Sequence, residues 1–347
     1  MNNFSYSTKE LANLIGDLNT PIENNKSEIK SVGLTGASGF LGMHLIQHLV
    51  SIDSIVGIKC FIRSKNTFDE RKKLFQLDFN EEKLEFCFEI NSENTQDLDV
   101  FIHSAAQVHN IKNLAGLYKD NVELTQKVVE EVVCPIIYIS TLSVFASSNK
   151  LGIHLPIECE SSTEHILYGG YAQSKWIGEY LVEKRKDSRI IRLGLLTPST
   201  NKPILQENEF FSLFLKLSKD FPYYPQNFEE SFIDISPIDI ASDKVINAVF
   251  DKSRYTHIAN SKGTSIKVFI ETLNLKPITF EQWEIYLNTL KKTERTLLSY
   301  AYFKSQSLNQ YPKYFNIDLF QTTGHNWVGS INIDNINEYI GNIYEKI

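Results

Sequence analysis

The run Thr35-Gly36-Ala37-Ser38-Gly39-Phe40-Leu41-Gly42 restricts the fold of this 347-residue chain more than any other segment. An apolar stretch of strand length, residues 32–35, leads into it, and a segment of helical period, residues 41–50, leads out. In a strand–turn–helix unit each glycine has a task. Gly36 permits the tight turn, Gly39 lets the backbone approach a pyrophosphate, and Gly42 lets helix and strand pack closely. Amide groups at the start of such a helix face the phosphates. Three glycines at these offsets are weak on their own. Between a strand and a helix, near the start of a strand–helix series, they point to a dinucleotide site. Its candidate contacts are Thr35, Gly36, Ser38, Gly39, Phe40, Leu41 and Gly42.

Further apolar runs of strand length lie at residues 58–62, 84–90, 100–103, 136–140 and 190–193, with helix-period segments at 114–133 and 171–184. Parallel strands need helical crossovers, so the pattern predicts an α/β fold, a doubly wound parallel Rossmann-type sheet with helices on both faces. Beyond Thr197 the alternation weakens into aromatic-rich segments (Phe210-Phe211, Phe221 to Tyr224) and helical patterns. These predict a smaller, mostly helical C-terminal substrate domain laid over the strand ends. The expected boundaries are a polar leader at 1–28, a cofactor domain at 29–200 and 232–262, and a substrate domain at 201–231 and 263–347. Within the leader, Ser7-Thr8-Lys9-Glu10 followed by Leu11, Leu14, Ile15 and Leu18 predicts a short capped amphipathic helix, either packed on the main domain or ending a linker.

A net charge of −7 without a dense Lys/Arg stripe argues against a nucleic-acid partner. Cys60, Cys87, Cys134 and Cys159 show no C-x-x-C spacing, which suits reduced, buried thiols in a cytosolic compartment. No stretch approaches the length of a membrane span, and no basic-then-apolar segment opens the chain, so a soluble, cytoplasmic protein without a membrane partner is expected. His44 and His48 have metal-ligand spacing, but no Glu follows His44 and no third ligand is evident. They are expected to be two surface histidines, with no metal.

The second strand selects the dinucleotide. An acid at its end would bind the ribose 2′-hydroxyl, and a base accommodates a 2′-phosphate. Here Lys59-Cys60-Phe61-Ile62-Arg63-Ser64-Lys65 carries no carboxylate, and Arg63 can pair a phosphate bidentately, which favours NADPH.

A Tyr-x-x-x-Lys pair puts a phenol and an ammonium on one helix face. The ammonium is expected to lower the phenol pKa from about 10. The phenol can then deliver a proton to an oxygen that gains charge after hydride transfer. Three copies occur, Tyr171/Lys175, Tyr180/Lys184 and Tyr300/Lys304. Only Tyr171 follows a strand whose end offers hydroxyls, and Tyr180 lies two and a half turns on, facing the opposite way. Tyr171 and Lys175 are therefore the candidate catalytic pair. Thr141 is the first choice for the partner hydroxyl and Ser143 the second, because side chains alternate and these two share a direction.

Several segments also resemble a known family. Thr35-Gly36-x-x-Gly39-x-x-Gly42, His103-Ser104-Ala105-Ala106, Asn121-Val122, Ser140 to Phe145 and Tyr171-x-x-x-Lys175 look like an extended short-chain dehydrogenase/reductase. Cys60 to Ser64, Gly170 to Glu179, Ile190 to Gly194, Asp234 to Ala241, His257 to Asn260 and Ile278 to Trp283 look like its thioester reductase branch. That branch includes the terminal reductase domains of nonribosomal peptide synthetases, carboxylic acid reductases and fatty acyl reductases. The resemblance implies catalytic Thr141, Tyr171 and Lys175, with Arg63 and Arg71 at a 2′-phosphate. It implies Ser104, Ala105 and Ala106 along the cofactor, and Asn121 supporting the strand below. One departure stands out. The family carries Gly-Asp-Leu after its third strand, whereas Phe88-Glu89-Ile90-Asn91 stands here.

The implied function is NADPH-dependent reduction of an acyl thioester held by a carrier protein's phosphopantetheine arm, with release of an aldehyde and possible further reduction to the alcohol. The basic cluster Lys291, Lys292 and Arg295 is a candidate carrier dock. Competing readings are a nucleotide-sugar epimerase or dehydratase, a ketone reductase, or a cofactor-binding protein without turnover. An intact Tyr171, Lys175 and Thr141 set disfavours the last, and equally a variant that cyclises its thioester without redox chemistry.

Overall fold

Strands that are apolar on both faces must be covered on both faces, and the central sheet of this chain is built that way. The computed structural model describes residues 5–15, 28–109, 112–145, 166–205, 210–226, 229, 232–251, 253–260, 263–289, 326–327, 333 and 335–346. In chain order the first elements are β1 (Ser5–Ser7), α1 (Thr8–Ala12), β2 (Ser31–Thr35), α2 (Phe40–Ser51), β3 (Gly57–Phe61), α3 (Lys65–Leu74) and β4 (Leu84–Cys87). They continue with α4 (Ser92–Thr95), β5 (Val100–His103), α5 (Leu124–Glu131), β6 (Ile136–Thr141), β7 (Ile166–Tyr168), α6 (Gly170–Val182) and β8 (Arg189–Leu193). Strands Tyr255–Ile258 and Asn326–Trp327 complete a sheet of eight strands among the described residues. Its order is Asn326–Trp327, Tyr255–Ile258, β8, β6, β5, β2, β3, β4, and every neighbouring pair is parallel.

This is the doubly wound α/β sheet that the alternation predicts. The order reverses at β2, which pairs with β3 on one side and β5 on the other. The crevice beyond the carboxyl ends of β2 and β5 is where such sheets bind ligands. One face of the sheet, with Leu34, Ile58 and Ile102, packs under α2, α3 and helix Ile238–Phe250. The other, with Phe101, Tyr138 and Ile190, packs under α5 and α6. Each Leu, Ile or Val buried in these layers contributes roughly 1.5–3 kcal/mol. A third apolar cluster gathers Phe211, Phe214, Leu215, Phe269, Trp283, Tyr339 and Ile340 from segments that follow Thr197.

Local departures from the sequence reading have identifiable causes. The capping box at the N-terminus is present, with Ser7 and Glu10 bonding each other's backbone amides, and Leu11 of α1 is fully buried in the α5–α6 layer. The helix ends at Ala12, and Leu14 is exposed. Strand β1 has no sequence signature. It pairs antiparallel with β7 through backbone groups that any polar tripeptide carries. The strand expected to reach Ile90 ends at Cys87, because Asn91 turns the chain by capping α4. The helix expected over 114–133 is three pieces: a 3₁₀ turn at Leu114–Gly116, a π-helical turn at Tyr118–Glu123, and α5. A π turn absorbs one extra residue, and such turns are frequent at functional sites.

Cys60, Cys87 and Cys134 are buried, and Cys159 lies outside the described residues. His44 is not a surface residue. It is buried between Phe40 and Phe75 and bonds the Phe40 carbonyl, and burial lowers its pKa. Among the described residues no helix is long and apolar enough to cross a membrane.

Candidate active site

The glycine turn is built as its spacing requires. Gly36 sits at φ +70°, and a Cβ there would lie 2.8 Å from the Ala105 nitrogen. A Cβ on Gly42 would lie 2.1 Å from the Gly36 carbonyl oxygen, so helix and turn touch through bare backbone. Gly39 is the N-cap of α2, and no side chain caps it. The first-turn amides of α2 are therefore left for an anion. Thr35 joins this turn to the loop after β5, where its Oγ1 accepts from the amides of Ser104 (3.1 Å) and Ala105 (3.2 Å). Ser38, Phe40 and Ala106 are partly buried around this junction, and Leu41 is buried.

Arg63 follows the end of β3 and is exposed. The neighbouring Lys65 and Lys72 are already engaged, both with Glu81 and Lys65 also with Asp69. Arg71 is exposed in the last turn of α3, six residues along the helix from Lys65, so roughly 9 Å farther along its axis.

Across the crevice, α6 packs on β6 and on the 3₁₀ turn Leu142–Phe145 that follows it. Lys175 is buried and its Nζ donates to the Ile139 carbonyl (2.6 Å) while lying 4.0 Å from the centre of the Tyr138 ring. Two residues beyond Ile139, Thr141 ends the same strand. Its Oγ1 donates to Ser143 Oγ (3.2 Å) and accepts from the Ser143 amide (3.2 Å), so the first and second hydroxyl choices form one pair. Tyr171 is partly buried in the first turn of α6.

The expected charge coupling is reversed. Burial pushes the Tyr171 phenol up from its ordinary value, and burial brings Lys175 down to about 7 despite the opposing pull of Glu179. Desolvation penalises the charged form of both groups, and it outweighs the attraction that the spacing suggests. Tyr180, the competing copy, takes a hydrogen bond from Lys184 at 3.1 Å and stacks on Trp176. Tyr300, Lys304 and the basic cluster Lys291, Lys292 and Arg295 lie outside the described residues.

Asn121 is fully buried in the π turn. It accepts from the Gln107 amide (2.7 Å) and donates to the Gln107 carbonyl (3.1 Å) and to Ser174 Oγ (2.9 Å). It thus holds the loop after β5 against α6.

Three features escaped the sequence reading. Arg192 Nε and Nη2 grip the Glu179 carboxylate at 3.0 and 2.8 Å with both side chains fully buried, one turn behind Lys175. Opposite charges inside apolar segments were the available signal. Asp234 is fully buried, accepts from Ser236 Oγ and from the amides of Leu195 and Asn260, and has its pKa raised to about 6 by burial. His103 is buried between two threonine hydroxyls.

The profile of the NAD-binding family described as "Male sterility protein" matches residues 34–245, more than half of the chain. The chain belongs to this family. Membership supports a nicotinamide dinucleotide cofactor, and the bare backbone of the glycine turn and the uncapped helix start would suit its phosphates. The terminal R domain of the myxalamid PKS-NRPS biosynthetic pathway superposes with a TM-score of 0.76 at 21% identity, covering 97% of this chain and 96% of that one. The thiolation-reductase di-domain of an archaeal non-ribosomal peptide synthetase gives 0.69 at 19%, covering 92% and 75%. "Probable polyketide synthase 34" of Dictyostelium discoideum is 25% identical over 363 residues, 83% of this chain and 12% of that protein. The chain spans a small fraction of the length of the curated relatives it matches. The motif resemblance to the thioester reductase branch agrees with this family and these neighbours.

Proposed function

We propose that this family member is an NADPH-dependent reductase of acyl thioesters, acting on the phosphopantetheine arm of an acyl or peptidyl carrier protein and releasing an aldehyde. The observation that carries the reading is the buried Lys175 beside β6, with Thr141 at that strand's end and Tyr171 one turn back on α6. The reductase domains and synthetases among its relatives favour a thioester over a sugar nucleotide.

When bound, NADPH supplies the hydride that adds to the thioester carbonyl carbon. Arg63 holds the 2′-phosphate, and the α2 amides hold the pyrophosphate. Thr141 turns its hydroxyl from Ser143 onto the carbonyl oxygen and keeps that oxygen in place. Tyr171, whose raised pKa keeps it protonated at neutral pH, gives its proton to the same oxygen as charge develops. Lys175 then stabilises the phenolate by taking up or holding a proton near neutrality. The hemithioacetal collapses with cleavage of the C–S bond, the arm leaves as a thiol, and the aldehyde departs. Taking the aldehyde to the alcohol needs the hydride of a second NADPH, bound after the spent cofactor leaves, with Tyr171 again giving the proton.

The test is incubation with NADPH and a panel of carrier-bound and CoA-bound acyl groups, with trapping of aldehyde and alcohol products. Consumption of NADPH matched by aldehyde supports the reading. Faster turnover of CoA esters than of carrier esters would remove the carrier from it. Failure to oxidise NADPH with any thioester, together with NAD retained through purification, would replace it with an epimerase-type activity.

A further inference from the structure

His103 ends β5, is fully buried, and touches a hydroxyl through each ring nitrogen: Nδ1 lies 2.7 Å from Thr35 Oγ1 and Nε2 lies 3.0 Å from Thr125 Oγ1. Those contacts fix its tautomer. The Thr125 hydroxyl has one hydrogen, and it goes to the Asn121 carbonyl at 2.6 Å. Thr125 can therefore only accept from the ring, so Nε2 carries the proton and Nδ1 is the acceptor. Thr35 in turn must donate to Nδ1, which leaves its lone pairs for the amides of Ser104 and Ala105. That run ends on the Asn121 backbone carbonyl, and a second begins on the same residue's side chain, whose amide donates to Ser174 Oγ at 2.9 Å while Ser174 donates to the Tyr171 backbone carbonyl at 2.8 Å. Thr35, His103, Asn121, Thr125 and Ser174 are all buried, and burial holds the imidazole neutral across the physiological range.

We propose that Thr35, His103, Thr125, Asn121 and Ser174 form a relay of two hydrogen-bond runs, joined through the Asn121 residue, that sets the catalytic helix against the cofactor loops, with His103 and Thr125 as its positioning residues. The proposal rests on the reductase reading for the roles at its two ends. Its physical basis is that these buried donors and acceptors satisfy one another, so the two runs together favour one arrangement. A loop and a helix joined through one such arrangement cannot shift independently. A misplacement of about 1 Å at a reacting centre can cost on the order of 100-fold in rate. The relay also gives the π turn a purpose, since Asn121 is contributed from it.

Thr125→Val keeps the shape and removes the hydroxyl, and Thr125 touches neither proposed ligand site. The expected result is a fall in kcat of about tenfold, with the Kd for NADPH within about twofold of the parent and with Thr125→Ser restoring the rate. His103→Gln combined with Thr125→Val should be no slower than the worse single variant, because both cut the same chain. Nitrogen-15 NMR should show His103 protonated on Nε2 alone. Should Thr125→Val fold poorly, Ser174→Ala cuts the relay at its other end and should give the same split between kcat and Kd. Unchanged kcat in a folded relay variant, additive losses in the double variant, or a proton on Nδ1 would overturn the relay. A parent protein that neither binds NADPH nor turns over any thioester would instead overturn the reductase reading, and the NMR result would still decide the tautomer.

Discussion

The two walls of the crevice are made of different materials. On the glycine-turn side, the surface is bare backbone: Gly36 and Gly42 touch neighbouring main chain, and the start of α2 is uncapped. The charged candidates there, Arg63 and Arg71, are exposed. On the α6 side the work falls to buried polar and ionisable side chains: Lys175, Glu179 with Arg192, Asn121 and Ser174. Backbone needs only the right φ and the absence of a Cβ, and it can do its task at the surface. Buried charge needs partners brought from elsewhere in the chain, or it costs several kcal/mol. The first wall should therefore tolerate side-chain changes without loss of fold, and the second should not.

The sharpest way to break the contrast is Glu179→Gln. Leaving Arg192 buried without its carboxylate should destabilise the fold by about 3–5 kcal/mol, read as a lowered urea midpoint. A midpoint within error of the parent would show that water reaches this pair and that the α6 wall is no drier than the other.

Next in size is Tyr171→Phe, which removes a proton donor and little volume. Turnover should drop by about 100-fold or more with NADPH affinity nearly intact, whereas Tyr180→Phe should leave both close to the parent values. Steady-state kinetics with a carrier-bound thioester distinguishes the two tyrosines, and a larger loss for Tyr180→Phe would move the reacting centre off the buried wall.

Arg63→Ala tests the exposed wall. It should leave stability unchanged and reduce the preference for NADPH over NADH by about tenfold or more, measured as a ratio of dissociation constants. A parent protein that binds both dinucleotides equally would remove Arg63 from the site.

The last effect is a slope. Asp234 has a folded pKa of about 6, above the ordinary carboxylate value near 3.9, so between those values the folded chain holds a proton that the unfolded chain releases. Stability from this group is present below the unfolded pKa and is lost as pH rises through about 6, at up to about 1.4 kcal/mol per pH unit. Asp234→Asn should flatten the stability profile between about pH 4 and 6, whatever its effect on absolute stability. An identical slope in both proteins would mean that the carboxylate's three hydrogen bonds already offset its burial.

Sequence pattern alone encoded the doubly wound sheet, the position of the glycine turn and the burial of Cys60, Cys87 and Cys134. All of these rest on patterns a few residues long: a φ demand, a helical or strand period, a thiol inside an apolar run. Tertiary structure alone decided the rest. It paired Ser5–Ser7 with Ile166–Tyr168, broke the segment 114–133 into three kinds of turn, and buried His44. It also joined Glu179 to Arg192 across 13 residues and His103 to Thr35 across 68. It raised Tyr171 and lowered Lys175 where spacing suggested the opposite. The physical reason is common to these cases. A period or a turn is set by neighbours along the chain, but desolvation and hydrogen-bond partnership are set by whatever the fold brings within about 3 Å, and no local pattern encodes that.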